Sequence, residues 1–153
     1  AFPFQGLDQG QRVGPNSQSS VSLVKERPNM TLPENMDLIL RRFEEPDEVR
    51  EFPYGRFEII TIAGMTIGKA TYEPGWKWSE HAGKALGKSF CEVEHLCLAL
   101  SGKVTVAFEG EPVQVMTPGT LFYVSTKPHD SWVVGDEPYV SIHFLGASDY
   151  TTR

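Results

Sequence analysis

An all-β barrel is the fold class this sequence predicts, and three observations lead there. From Phe57 onward, turn signals built on glycine and proline recur about every ten residues, the spacing of an antiparallel sandwich or barrel. The segments between them are rich in β-branched and aromatic residues. No helical stretch of ordinary length interrupts the run, and no internal repeat is present. A chain of 153 residues with 40% hydrophobic and 22% charged residues is long enough and apolar enough to bury one real core.

Residues 1–35 differ from the rest. They are rich in Gln, Gly, Ser, Pro and Asn, with little periodicity beyond Val21-Ser22-Leu23-Val24. They read as a poorly regular arm that packs weakly or on a neighbouring subunit, ahead of a single domain over 36–153. The triplet Asn29-Met30-Thr31 matches a glycosylation sequon, a match that short chains carry by chance. Pro46 followed by Asp47 and Glu48 predicts one helical turn, with proline at its first position and acids behind it. Residues 45–56, mixed in charge, read as a solvated surface segment.

Strands are predicted over 57–62 and 65–72. Residues 95–100 and 103–108 flank Ser101-Gly102 and predict a hairpin. Val104, Val106 and Phe108 share one face of its second arm. Further strands are expected over 112–116, 120–124, 131–134 and 139–144. Side chains alternate along a strand, so if His95 points inward, Cys97 and Ala99 do too, leaving Leu96, Leu98 and Leu100 outside. An outer leucine stripe needs cover, and a homodimer is expected.

Composition narrows function. Fourteen basic against 20 acidic residues give a net charge of −6, with no basic cluster to follow a nucleic-acid backbone. No apolar run reaches the length of a membrane span. Cys91 and Cys97 are too few and too close in sequence for a disulfide framework and read as free thiols of a cytoplasmic protein.

Three of the four histidines, His81, His95 and His129, each stand near glycine or glycine-proline punctuation on separate segments. Folding can gather them, and neutral imidazole is a common ligand for transition metals. The plainer reading of any one of them is a satisfied structural histidine, and for His143 a structural or pocket role is preferred. Trp76 and Trp78 share a face if extended, either walling a pocket mouth or, more plainly, packing in the core or a subunit interface.

The run Pro74-Gly75-Trp76-Lys77-Trp78-Ser79-Glu80-His81 resembles the first half of the first cupin motif, in which histidine follows glycine after five intervening residues. The motif's second histidine, two residues on, is Gly83 here. Its glutamate, six residues before the hairpin glycine, is His95 when counted back from Gly102. The second motif resembles Pro118-Gly119-Thr120-Leu121-Phe122-Tyr123-Val124 with His129 after a loop, one residue earlier than the usual spacing, which falls on Asp130. Over residues 40–150 the chain is most similar to a group of small single-domain bacterial cupins that share the first run and another like His129-Asp130-Ser131-Trp132-Val133-Val134-Gly135-Asp136-Glu137-Pro138.

That resemblance implies a double-stranded β-helix, or jelly-roll barrel. It implies one divalent transition metal (iron(II), manganese, nickel or zinc) held by His81, His95 and His129. Glu80 or Asp130 would then serve as acid or base toward a small organic molecule. Cupins host dioxygenases, lyases, isomerases and dehydratases; three-histidine iron sites make an oxygenase the first choice. The competing expectations are a non-catalytic binding or sensory module, with or without metal, and a structural or storage barrel, which the short chain disfavours.

Overall fold

Alternating strands bury one face each, and here two antiparallel sheets turn those faces toward each other. The computed structural model describes residues 38–150. The arm expected over 1–35, with its sequon, lies outside the described residues. The strands are β1 (Glu48–Phe52), β2 (Gly55–Ile62), β3 (Met65–Tyr72), β4 (His95–Ser101), β5 (Val104–Phe108), β6 (Gln114–Met116), β7 (Leu121–Val124), β8 (His129–Asp130) and β9 (Tyr139–Leu145), with one short helix, α1 (Ala82–Leu86). The larger sheet runs β1-β2-β3-β9-β4-β7 and the smaller β6-β5-β8. The fold is all-β, two antiparallel sheets packed face to face, as the sequence predicts.

Local chemistry sets the first two hairpins. Ala63 and Gly64, at φ 48° and 75°, join β2 to β3 through a two-residue loop with both φ values positive, the turn whose twist suits a hairpin. Pro53-Tyr54 joins β1 to β2, with Tyr54 held at φ 60°. The expected helical turn at Pro46 is instead the approach to β1, which pairs with β2 from Glu48↔Ile59 to Phe52↔Gly55. Pairing along a whole strand outweighs the weak local preference of a proline followed by acids.

The expected hairpin between 95–100 and 103–108 does not pair. β4 hydrogen-bonds to β7 and β9, whereas β5 hydrogen-bonds to β6 and β8. Gly102, at φ 66°, carries the chain from one sheet to the other. A side chain there would strike the Pro138 carbonyl oxygen, 2.3 Å from an added Cβ. The strand expected over 131–134 is instead a pair of isolated bridges at Trp132 and Val133, just after the short strand β8.

Alternation along β4 is as expected: His95, Cys97 and Ala99 are buried, Leu96 and Leu98 half-buried and Leu100 exposed. The core between the sheets centres on Phe57, Tyr72, Trp76, Trp78, Val104 and Tyr139. Among the described residues, no helix is long and apolar enough to cross a membrane.

Candidate metal centre

Three strands and the loop before β4 converge inside the barrel. β4 brings His95 and, two residues on, Cys97 to the inner face. β8 brings His129 from the facing sheet, and β9 brings His143, opposite Cys97 in the ladder. Cys91 arrives from the loop before β4 and is pinned to β8 by a bridge. Its N–H donates to the His129 carbonyl at 2.9 Å, and the His129 N–H donates back at 3.0 Å. All five side chains are buried.

His95 stands in the middle. Its ring centroid lies 5.6 Å from that of His129 and 5.6 Å from that of His143, nearly perpendicular to both. Two overlapping trios result: Cys91, His95 and His129, and His95, Cys97 and His143. Within each trio, one donor atom per residue lies within 4.8 Å of the others.

The two trios differ in how their nitrogens are committed. His129 Nδ1 sits 2.8 Å from the Lys127 carbonyl oxygen. A carbonyl only accepts, so Nδ1 carries the proton and Nε2 is left as a free lone pair, the arrangement that orients a metal-binding imidazole. His95 Nε2 lies 3.3 Å from Cys91 Sγ, and its buried Nδ1 has no hydrogen-bond partner. His143, by contrast, has both nitrogens engaged, Nδ1 at 3.3 Å from Cys97 Sγ and Nε2 at 3.2 Å from Ser141 Oγ. In the His95–Cys97–His143 trio, His143 is therefore satisfied by protein groups, while in the Cys91–His95–His129 trio both imidazoles keep a nitrogen to spare. One thiol and two imidazoles suit a divalent transition metal of intermediate softness.

Burial sets the protonation states. It holds the His95 imidazole well below its ordinary range, helped by His143 and His129, and lowers that of His129. Burial also brings His143 down to about 3 and pushes the Cys91 thiol up to about 11. At neutral pH the imidazoles are neutral and able to ligate. A metal taking Cys91 as thiolate would displace its proton, so uptake releases acid.

The remaining residues singled out from sequence lie elsewhere. His81 is at the start of α1, its Nδ1 3.0 Å from both N and O of Lys77 and its ring against Tyr54 at 4.9 Å. It faces a separate surface pocket with Ser79, Glu80 and Lys84, and the structure does not bring it to His95 and His129. Glu80 is exposed beside it and pairs with Lys77 at 3.3 Å. Asp130 is a brace. Its carboxylate accepts from the N–H groups of Ser79 and Ser131 and from the Ser79 hydroxyl, at 2.8–3.0 Å, tying the 77–79 segment to β8. Neither carboxylate lines the cavity.

The displacement of His81 has a physical cause. After Pro74-Gly75 the chain enters the barrel for three residues, with Trp76 and Trp78 inward, then leaves it through α1 and re-enters at Cys91. Counting the motif's glycine from Gly83 rather than Gly75 puts Ser89 and Cys91 at the two histidine positions. That second count is equally open from the residues; what hides it is that Cys91 reads as an ordinary buried thiol.

Beside the trios lies a small cavity of about 40 Å³ between the sheets, walled by Tyr72, Trp76, Trp78, Val106, Phe122 and Tyr139 as well as the ligand candidates. On that scale it holds roughly three waters. Phe122 faces it, while Tyr123 points outward and donates to Glu94 at 2.7 Å.

No family model matches this sequence, and no curated protein matches it either. Solved structures do resemble it. A protein of unknown function from Acidithiobacillus ferrooxidans is 16% identical, with a TM-score of 0.49, over 77% of this chain and 97% of that one. A cupin-like protein from Thermotoga maritima is 14% identical, with a TM-score of 0.46, over 74% of this chain and 84% of that one. KdgF from a Halomonas species is 15% identical, with a TM-score of 0.46, over 63% of this chain and 82% of that one. Likenesses of this depth concern the path of the strands and carry nothing about chemistry.

Proposed function

We propose that this protein is a metal-binding cupin that acts on a small organic molecule at Cys91, His95 and His129. The observation that carries the reading is the convergence of three buried donors from separate segments, within 4.8 Å of one another, on the wall of a small cavity. Three protein ligands leave coordination positions for a substrate, as in catalytic rather than structural sites. A divalent metal bound there supplies Lewis acidity and, as iron(II), access to oxygen chemistry. Oxygenase is the first choice on that ground, with lyase, isomerase and hydrolase behind it.

The chain's own contribution is orientation and exclusion of water. The Lys127 carbonyl fixes the His129 tautomer, the Cys91–His129 bridge fixes the thiol, and the aromatic wall keeps bulk solvent out. One observation favours the alternative of a non-catalytic binding or sensory module. No carboxylate or lysine lines the cavity, and burial lowers the basicity of the three histidines that do, so no strong general base stands ready.

Cobalt(II) substitution tests the site. The loaded protein should show thiolate-to-cobalt charge transfer that Cys91→Ser abolishes and Cys97→Ser keeps; retention in Cys91→Ser would overturn the ligand set. Oxygen uptake by the iron(II)-loaded protein with a panel of small carboxylic and hydroxy acids then separates the readings. Uptake coupled to product supports the oxygenase, and saturable binding without turnover supports the sensory module.

A further inference from the structure

Among the described residues, two indole N–H groups inside the barrel have no acceptor, and the Tyr139 hydroxyl beside them is unpartnered as well. Trp76 and Trp78 are 1% and 3% exposed, both line the cavity, and neither indole Nε1–H has a partner. An indole N–H donates and never accepts, so whatever satisfies it must bring a lone pair.

The two rings are held in place. Trp76 lies flat on Tyr72, centroids 3.8 Å apart and planes 7° from parallel. Trp78 turns its benzene edge to α1: a Cβ added at Gly83 would sit 2.4 Å from Cζ3 and 2.7 Å from Cε3. The Nε1 edge is the opposite side of the indole and faces away from the helix. The backbone fixes both residues to the small sheet, through Trp78 N–H donating to the Ser131 carbonyl at 2.8 Å and Val133 N–H donating to the Trp76 carbonyl at 3.1 Å.

Charge decides what kind of acceptor belongs there. This step rests on the metal reading above. A divalent ion with one thiolate and two neutral imidazoles carries a net charge of +1. No carboxylate lines the cavity to balance it. A buried charge left unbalanced is costly, and one monoanion neutralises the site. A carboxylate would have one oxygen to offer the metal and lone pairs on the other for the N–H groups. The cavity, about 40 Å³, limits it to the smallest members of the class.

We propose that the indole N–H groups of Trp76 and Trp78 are a receptor for a small monocarboxylate, bound in this cavity beside the Cys91–His95–His129 centre. They position the ligand and set its specificity; they do not hold the metal.

Formate is the probe, and formamide, of equal heavy-atom count and uncharged, its control. The protein has three tryptophans, so its ¹⁵N spectrum has three indole cross-peaks; Trp132, which does not line the cavity, is an internal reference. Zinc uptake is first measured by mass spectrometry of the same sample. In the zinc-loaded full chain, formate should shift the Trp76 and Trp78 peaks downfield, saturably, and leave Trp132 in place. Formamide should bind about 10-fold more weakly or not at all, given the worth of a hydrogen bond to a charged group. Trp76→Phe and Trp78→Phe each keep an aromatic ring and remove one donor. Each should weaken formate by about 10-fold without changing zinc stoichiometry.

Zinc bound with neither indole moved by formate would overturn the proposal and leave the metal site standing. Equal response to formamide would overturn the monoanion and leave a neutral acceptor. Absence of zinc uptake would remove the metal reading, and this proposal with it. If a variant fails to fold, the wild-type titration still decides.

Discussion

His143 should make the metal-free protein sensitive to acid in a calculable way. Its imidazole is buried and held at about 3 in the folded protein, against about 6.5 for an unfolded histidine. Folding therefore favours the neutral form. The contribution is fully present above about pH 6.5 and is lost as pH falls from there toward 3, because only the unfolded chain takes up the proton in that window. Each pH unit removes about 1.4 kcal/mol, so going from pH 6.5 to 5.0 removes about 2 kcal/mol. That is a large share of the roughly 5–15 kcal/mol that stabilises a domain. His95 and His129, also depressed by burial, push in the same direction. Urea unfolding of chelator-treated protein at pH 7.5 and 5.0 measures the sum, and His143→Asn isolates one part. The variant should lose about 2 kcal/mol less than wild type between the two pH values. Parallel losses in the two proteins would show that His143 is not the source, as would an NMR titration in which its ring protonates near pH 6.

Three other outcomes follow from packing. Gly83→Ala should raise helix propensity in α1 yet destabilise the protein by about 1–3 kcal/mol, because the new methyl meets the Trp78 ring and the Lys88 carbonyl oxygen, 2.4 and 2.6 Å away. A gain in melting temperature would show that this contact relaxes freely. Tyr150→Phe removes the acceptor of the buried Tyr72 hydroxyl, 2.6 Å away, and should lower unfolding free energy by about 1–3 kcal/mol in chemical denaturation; an unchanged midpoint would mean the pair is dispensable. The outer face carries Leu100, Leu121 and Phe144 exposed, Leu121 at 64%. A homodimer through that face is expected in sedimentation equilibrium, with Leu121→Lys shifting it toward monomer; a wild type that is monomeric at micromolar concentration contradicts that expectation.

Much of the fold is legible because strand parity and turn chemistry are local. The period-two alternation of β4 puts His95 and Cys97 on one face by spacing alone, and Ala63-Gly64 marks a hairpin by its own conformation. β1 is not legible, since Glu48, Arg50 and Glu51 look like a solvated segment. What makes them a strand is the partner β2, with Arg50–Glu48 and Arg56–Glu51 ion pairs along the exposed edge. The sheet change at Gly102 is likewise a long-range fact, because a Ser-Gly turn looks the same whether or not its arms pair. At the site, His95 and His129 are legible by spacing. His81 and Cys91 are interchangeable by count, because the α1 excursion can be inserted before or after the counted glycine, and only the Cys91–His129 bridge shows which. The two indoles are visible as a pair on one face, but an unmade hydrogen bond has no signature in sequence.

The chemistry of this barrel turns on whether Cys91, His95 and His129 hold one metal. Metal content per chain decides it, by mass spectrometry of untagged protein reconstituted with zinc or iron(II), for wild type and four single variants. Near one metal is expected in wild type, His81→Ala and Cys97→Ser, with loss in Cys91→Ser and His129→Ala. Loss in His81→Ala with retention in Cys91→Ser, or a correctly folded wild type that takes up no metal, would rule the site out.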